Sequence, residues 1–276
     1  MNKIKISACI ITYNHEDFII ECLEGAISQK VNFEYEIVIG EDLSSDSTRQ
    51  ICINYVEKYP NLIRFIRREK NLGMSGNWIK TIKECEGEYI ALCEGDDYWT
   101  DSYKLQRQVD FLEANPDYAI CYHKVQVLKN GVLEKDNITK KVPETTTIKD
   151  LAKGNYIHTC SVVFRNNLFD ELPGYFKKSP IGDYFLHMLN ARYGKIKFLD
   201  EFMGVYRLHE TSVWSSKKQE KRDQIWLGFL KRIRKNFDRE TKEILDIQIK
   251  QFEVLRDKRR LEALKTFVRP FLFKKK

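Results

Sequence analysis

The chain predicts an α/β protein built on a layered, mostly parallel sheet, and three observations carry that expectation. Short apolar runs rich in β-branched residues alternate with stretches of helical periodicity through the first 130 residues. Strands separated by helices of this kind pair in parallel through right-handed crossovers. Polar residues gather directly after the apolar runs, where such sheets bind ligands. The predicted architecture is therefore a Rossmann-like mixed sheet flanked by helices, with a helical extension at the C-terminus.

Taken in order, residues 5–14 read as a buried strand and 18–29 as a helix with Ile19, Ile20, Leu23, Ala26 and Ile27 at helical spacing. Residues 35–42 form the second strand, and Asp46 or Ser47 is the expected N-cap of the helix that follows. A third strand spans 62–68, a helix 76–87, a fourth strand 88–94 and a helix 102–116 that Asn115-Pro116 stops. A strand over 117–128 precedes a polar, hairpin-like excursion at 130–147. The pattern then gives a short helix near 148–154, a strand at 159–165, a helix at 181–194 and strand pairs over 195–209. From 217 the chain reads as basic helices, and no internal repeat is visible.

At 276 residues, 42% hydrophobic and 32% charged, the chain has enough apolar sequence for a sizeable core and too much for disorder. No apolar run approaches the ~20 residues of a membrane span. The run near the N-terminus is too short for an export signal, so a cytoplasmic protein is expected. Seven widely spaced cysteines, without metal-ligand spacing, read as reduced core thiols. The net charge of +7 is uneven. Residues 217–276 hold 20 Lys and Arg against 9 Asp and Glu, whereas the first 216 hold 27 against 31. A basic tail on a mildly acidic body suggests a polyanionic partner, and FVRPFLFKKK at the end suits an anionic membrane interface.

The stretch EYIALCEGDDYW (88–99) poses the chemical question. A buryable strand ends in Glu94, Gly95, Asp96 and Asp97. Close carboxylates repel unless splayed into water or joined by a cation. A hard dication such as Mg²⁺ takes one or two carboxylates together with substrate phosphates, and Gly95 permits the close approach. As a bare motif the cluster is as compatible with an acidic, helix-capping turn.

Its context resembles a family. ISACIITYNHEDFIIECLEGAISQ, EIVIGEDLSSDST, EKNLGMSGNWIKTI and GEYIALCEGDDYWTDSYKLQRQVDFLE look like successive blocks of the family 2 glycosyltransferases, in the family's order and over about residues 5–215. The resemblance implies the type A fold, inverting transfer and a catalytic domain at 1–216. Within it, 1–115 would be the nucleotide-sugar half and 116–216 the acceptor half, with 217–276 as the basic extension. It places Thr12, Tyr13 and Asn14, with Glu41 and Asp42, around the nucleobase. Tyr13 would stack and Asp42 would accept from a ring N–H. Asn71, Gly73 and Asn77 match the next block, where Gly76 replaces a common Arg and Lys70 is the substitute cation. Glu94 and Asp96 match ribose-binding positions, and Asp96, Asp97 and His209 match metal-binding ones. Glu94 stands where Asp is frequent.

SPIGDYFLHMLNARYG resembles the segment that carries the general base, which makes Asp183 the base and puts Gly182 where Glu is common. Without the family, an N-terminal helical acid is most simply a dipole-stabilised first-turn residue. VYRLHETSVW resembles a further block, with Arg207 and Ser212 near the leaving phosphates. Trp99 and Trp214 either flank the sugar or pack, and Thr159-Cys160-Ser161 falls on the acceptor side.

The implied reaction is metal-dependent hexosyl transfer, with Mn²⁺ or Mg²⁺, from a nucleoside-diphosphate sugar (a UDP-sugar first) to a glycan or glycolipid of a surface polysaccharide pathway. The alternative is an inactive sugar-nucleotide-binding or assembly module of the same fold, for which Gly182 and Glu94 speak. A dinucleotide oxidoreductase needs a glycine-rich first turn, and TYNHEDF has none. Nucleic acid is not expected as a partner, because Phe and Ile recur at helical spacing in the basic tail.

Overall fold

The computed structural model describes the backbone of residues 3–136, 138–139, 141–210, 212, 214 and 217–272, with side chains up to residue 259. The terminal FVRPFLFKKK therefore lies outside the described side chains. The first half runs β1 (Ile6–Thr12), α1 (Ile19–Ile27), β2 (Tyr35–Glu41), α2 (Thr48–Lys58), β3 (Ile63–Arg67), α3 (Met74–Lys83), β4 (Tyr89–Glu94), β5 (Tyr98–Trp99) and α4 (Lys104–Ala114). The second half runs β6 (Tyr118–Lys129), β7 (Val132–Lys135), β8 (Thr145–Thr146), α5 (Ile148–Leu151), β9 (Val163–Arg165), α6 (Gly182–Asn190), β10 (Lys195–Leu208), α7 (Gln219–Ile233) and α8 (Arg239–Leu272).

The sheet order is β3-β2-β1-β4-β9-β6-β10-β5. β1 pairs in parallel with both β2 and β4, and the β2–β3 and β6–β10 pairs are also parallel. β9 is antiparallel to β4 and β6 on either side. The sheet is thus mixed and mostly parallel.

Alternation along the strands explains why they read as continuous apolar runs. In β1, Ile6, Ala8 and Ile10 enter one core while Cys9 and Ile11 enter the other. In β4, Tyr89, Ala91 and Cys93 share the first core, and Ile90 and Leu92 the second. The first is covered by Leu23 of α1, Cys52 of α2 and Val109 of α4. The second is covered by Trp78 of α3, Phe185 of α6, Leu230 of α7 and Leu245 of α8. Both faces are buried, as parallel sheets require. The basic helices therefore seal a sheet face with their apolar sides. All seven cysteines are buried free thiols.

Three local expectations need correction. Residues 195–209 form one long strand, β10, and not strand pairs. Irregular register against β6 between Leu199 and Gly204 bends it without breaking it. The expected strand at 159–165 starts only at Val163, after a 3-10 turn at Thr159–Ser161. There the Ser161 hydroxyl and amide both donate to the His158 carbonyl, 2.7 and 3.0 Å, which competes with ladder pairing. The third helix opens at Met74, two residues early, because Gly73 takes φ 71° and ends the preceding turn. Of the two expected caps for α2, Asp46 makes the bond: its Oδ1 accepts from the Thr48 amide at 3.0 Å.

One buried group runs against the core around it. Lys104 is 0% exposed, and its Nζ lies 4.1 Å from the centroid of the Trp99 ring with no hydrogen-bond partner. Burial lowers its pKa to about 7. The unfolded chain holds this proton to a much higher pH, so stability rises as pH climbs from about 7 towards 10. Lys104→Met should therefore be more stable than the wild type at pH 6.5, by roughly 5 kcal/mol at most at about 1.4 kcal/mol per pKa unit. Urea titrations at pH 6.5 and 9.5 check this. Equal differences at the two pH values would contradict the account.

Candidate active site

The chain leaves β1 for β2 on one side and later returns to β4 on the other, so the crevice outside the carboxyl ends of β1 and β4 is the topological switch point. Thr12, Tyr13 and Asn14 end β1, Glu41 and Asp42 end β2, and Glu94 to Asp97 end β4. Arg207 to His209 arrive at the end of β10.

Carboxylate oxygens of Glu94, Asp96 and Asp97 all lie within 4.8 Å of one another. Burial, and then the neighbouring acids, push Glu94 and Asp97 well above the ordinary carboxylate range. Burial acts the same way on Asp96, but two imidazoles outweigh it and its pKa falls. His209 Nε2 is 2.9 Å from Asp96 Oδ2, and His15 Nε2 is 3.9 Å from it. Asp97 accepts the Arg207 amide on Oδ1 at 2.8 Å, while its buried Oδ2 finds no hydrogen bond, with the Cys160 thiol alongside. Gly95 is a steric necessity. A Cβ there would stand 2.6 Å from Thr12 Oγ1 and 3.0 Å from His15 Nδ1.

This set fits a hard dication. Oxygen donors converge, a buried carboxylate oxygen has no hydrogen-bond partner, and the acids stand close enough that a bound cation would relieve their repulsion. Glu94, Asp96 and Asp97 are the side chains whose oxygens converge to hold it, with His209 beside Asp96.

After β1, Tyr13 is 45% exposed. The Asn14 amide oxygen accepts from the Ser45 amide at 2.8 Å, tying the β1 and β2 loops together. Asp42 is buried beside them and accepts the Leu72 amide on Oδ1 at 2.8 Å, and Asn71 donates to the Asp42 carbonyl at 2.9 Å. Asn71 and Gly73 thus form one turn with Asp42, and Gly73 donates to the Asn71 side chain at 3.0 Å.

Two of the expected residues are spent on the scaffold. Glu41 is fully buried, bonded to Arg49 Nε and the Ser44 amide, both at 2.5 Å. Asn77 donates to the Gly40 carbonyl at 2.6 Å and accepts from Arg68 at 3.3 Å, beneath the crevice. Arg68, and not exposed Lys70, is the buried cation facing Asp42.

On the opposite side, Asp183 opens α6, partly buried, with Asn155 Nδ2 3.4 Å from its Oδ2. Burial raises its pKa, against the pull of backbone amides, Asn155 and His158. Asp183 lies close enough for its field to reach Glu94, and Tyr206 sits within the field of both. Gly182 packs on Ser75, with Oγ 3.2 Å from where a Cβ would be, so a glutamate there would press on α3.

Arg207 is turned to the Asp96 carbonyl at 2.8 Å and to Glu21 at 2.5 Å, and the Ser212 hydroxyl accepts the His209 amide at 3.2 Å. Trp99 is core, donating to the Cys160 carbonyl at 2.8 Å. Trp214 lines a cavity of about 320 Å³ with Leu72, Gly73, Lys177, Lys178 and Lys217. Sequence reasoning missed His15, Arg68, Asn155 and Tyr206. His15 alone had a signal, since it follows the TYN of the first strand end.

Known proteins resemble this chain in sequence and in fold. The sequence profile of Glycosyl transferase family 2 matches residues 7–172. An uncharacterised protein of Mycobacterium tuberculosis is 37% identical over 219 residues, 79% of this chain and 62% of that protein. The chain therefore spans about three-fifths of the length of the first curated relatives it matches. Among solved structures, Staphylococcus aureus TarS 1–349 in complex with UDP-GlcNAc superposes with a TM-score of 0.66 at 23% identity, over 90% of this chain and 71% of that one. The mannosyltransferase PcManGT of Pyrobaculum calidifontis, in complex with GDP-Man and Mn²⁺, superposes with a TM-score of 0.67 at 14% identity, over 98% and 81%. These two likenesses speak for the fold, a type A glycosyltransferase sheet. With the profile covering more than half its length, the chain belongs to glycosyl transferase family 2.

Proposed function

We propose that the protein transfers a sugar, with inversion, from a nucleoside-diphosphate sugar to a hydroxyl of a glycan or glycolipid acceptor in surface polysaccharide synthesis. One observation carries the reading: Asp183, a partly buried carboxylate with raised pKa, lies near enough to the acidic cluster of β4 for its charge to act on Glu94. The donor classes bound by TarS and PcManGT support it, with a UDP-sugar first.

In this mechanism Tyr13 offers a face to the nucleobase, and Asp42 receives its ring N–H from the buried turn with Asn71 and Gly73. Glu94 meets the ribose. Bound Mn²⁺ or Mg²⁺ on Asp96, Asp97 and His209 supplies positive charge to the diphosphate as it leaves. Asp183, across the sugar, takes the proton of the acceptor hydroxyl, and its raised pKa makes it the stronger base. Attack opposite the leaving group inverts the anomeric centre. The fold contributes placement and fixed charge.

Among the described residues, no helix is long and apolar enough to cross a membrane. The basic extension, net +11, is proposed to rest on an anionic membrane surface at the cytoplasmic face, where lipid-linked acceptors lie. Ile247, Val254 and Leu255 of α8 are exposed apolar groups that suit an interface. Binding to vesicles should rise with anionic lipid content and fall with salt. Sedimentation indifferent to both would refute this placement.

Three measurements test the transferase reading. Thermal shifts with UDP, GDP, CDP and dTDP should show one nucleotide stabilising the protein only when Mn²⁺ is present, by roughly 2.7 kcal/mol at a hundred times its Kd. Asp183→Asn should retain that shift and lose about a thousandfold or more in kcat. Turnover at the wild-type rate by this variant would exclude Asp183 as the base. The third concerns the cost of the cluster. The Asp97 carboxyl titrates higher folded than unfolded, so its contribution to stability is lost as pH rises from about 4. Asp97→Asn, which keeps the acceptor for the Arg207 amide, should melt higher than metal-free wild type at pH 7, converge with it near pH 4, and no longer respond to Mn²⁺.

A further inference from the structure

A single short loop, residues 155–160, reaches three acids of the site, Asp183, Glu94 and Asp97. Asn155 Nδ2 lies 3.4 Å from Asp183 Oδ2. The Thr159 side chain faces Glu94, and the Cys160 thiol flanks Asp97. Between them, His158 Nε2 is 3.3 Å from Asp136 Oδ1 in a pair that is almost fully buried, at 9% and 8% exposure. The reaction as derived above uses none of Asn155, His158 and Asp136.

The loop is built to be rigid. Asn155 Oδ1 accepts from the Ile157 amide at 3.2 Å, which fixes the amide flip and turns its NH₂ towards Asp183. Asp136 is locked by the Ile138 amide, the Thr139 amide and the Thr139 hydroxyl at 2.8, 3.1 and 2.7 Å. The His158 ring lies against Tyr206, centroids 4.9 Å apart, and its carbonyl anchors the 3-10 turn. A buried His–Asp pair tied to the 130–147 excursion is a costly anchor for an ordinary loop.

A general base has to present one lone pair at one place, and a carboxylate rotates broadly about its last torsion. We propose that Asn155, on a loop that the buried His158–Asp136 pair anchors, is a positioning residue for Asp183, orienting its carboxylate towards the acceptor hydroxyl. This rests on the transferase reading for its purpose, though not for its geometry. The groups that face Asp183 are Asn155 and His158 from the loop, Glu94 from β4 and Tyr206 from β10. Asn155 and His158 favour its charged form and Glu94 opposes it. Removing either helper should therefore raise the pH at which Asp183 ionises.

Two readouts on Asn155→Ala and His158→Gln decide the matter. In turnover, Asn155→Ala should lower kcat about 10- to 100-fold with donor KM within about twofold, and the acid limb of the pH profile should move up in both variants. A loss confined to donor KM, or unchanged kinetics, would overturn the proposal. The second readout needs no substrate: the carboxyl ¹³C resonance of Asp183 should titrate at least about half a pH unit higher in each variant. A titration identical to wild type in Asn155→Ala refutes the proposal even if His158→Gln does not fold. Should the wild type transfer no sugar, the transferase reading falls, while the carboxyl titration still judges the loop.

Discussion

Mutual repulsion among Glu94, Asp96 and Asp97 is the constraint around which the crevice is organised. Three carboxylates with oxygens within 4.8 Å cannot all ionise in a buried site without help. The chain supplies part of that help itself. Two histidines face Asp96, a backbone amide faces Asp97, and Gly95 lets Thr12 and His15 close over the turn. The rest is left undone, as the orphaned Asp97 Oδ2 shows. Acids held this close favour any positive charge placed among them.

That repulsion is tolerable because the scaffold beneath is buried on both faces. β1 and β4 send alternate side chains into two separate cores, one under α1, α2 and α4, the other under α3, α6, α7 and α8. The ends of the strands are then where polar groups meet solvent, and both strand ends open at the switch point. The basic C-terminal helices belong to this argument through Leu230 and Leu245, which seal a core, while their charges face outward. Their composition advertises a polyanion, and their packing supports the catalytic sheet.

What was legible in the sequence follows from how local its cause is. Alternation and periodicity depend on neighbours a few residues away, so the four leading strands and their helices could be read to within about two residues, except the third helix, which ends at Lys83, four residues before the expected 87. The acids after β4 were visible because they interrupt an apolar run. Roles set by distant partners were not visible. Nothing near Asn77 reveals that Gly40 and Arg68 will consume its amide, or near Glu41 that Arg49 will neutralise it. Trp99 read equally well as a sugar platform or as core, and only the Cys160 carbonyl, 61 residues on, makes it core. The strand expected at 159 failed for a local reason that was overlooked, a serine hydroxyl returning to the backbone three residues earlier.

The least legible element is also the one that assembles the site. β5 is two residues long and carries no strand signature, yet Tyr98 and Trp99 pair antiparallel with Val205 and Gly204 of β10. Continuing that register past Tyr98 sets Asp97 and Asp96 against Tyr206 and Arg207, and the observed bonds follow: the Arg207 amide to Asp97, its guanidinium to the Asp96 carbonyl. Two residues further on, His209 reaches the Asp96 carboxylate. A slip of one residue would turn each of these side chains to the opposite face. The irregular register of β10 between Leu199 and Gly204 lets one strand follow β6 and still meet β5 in phase. Residues more than a hundred positions apart thus form one cluster through the shortest kind of strand pairing, and the two halves of the domain meet at the acids.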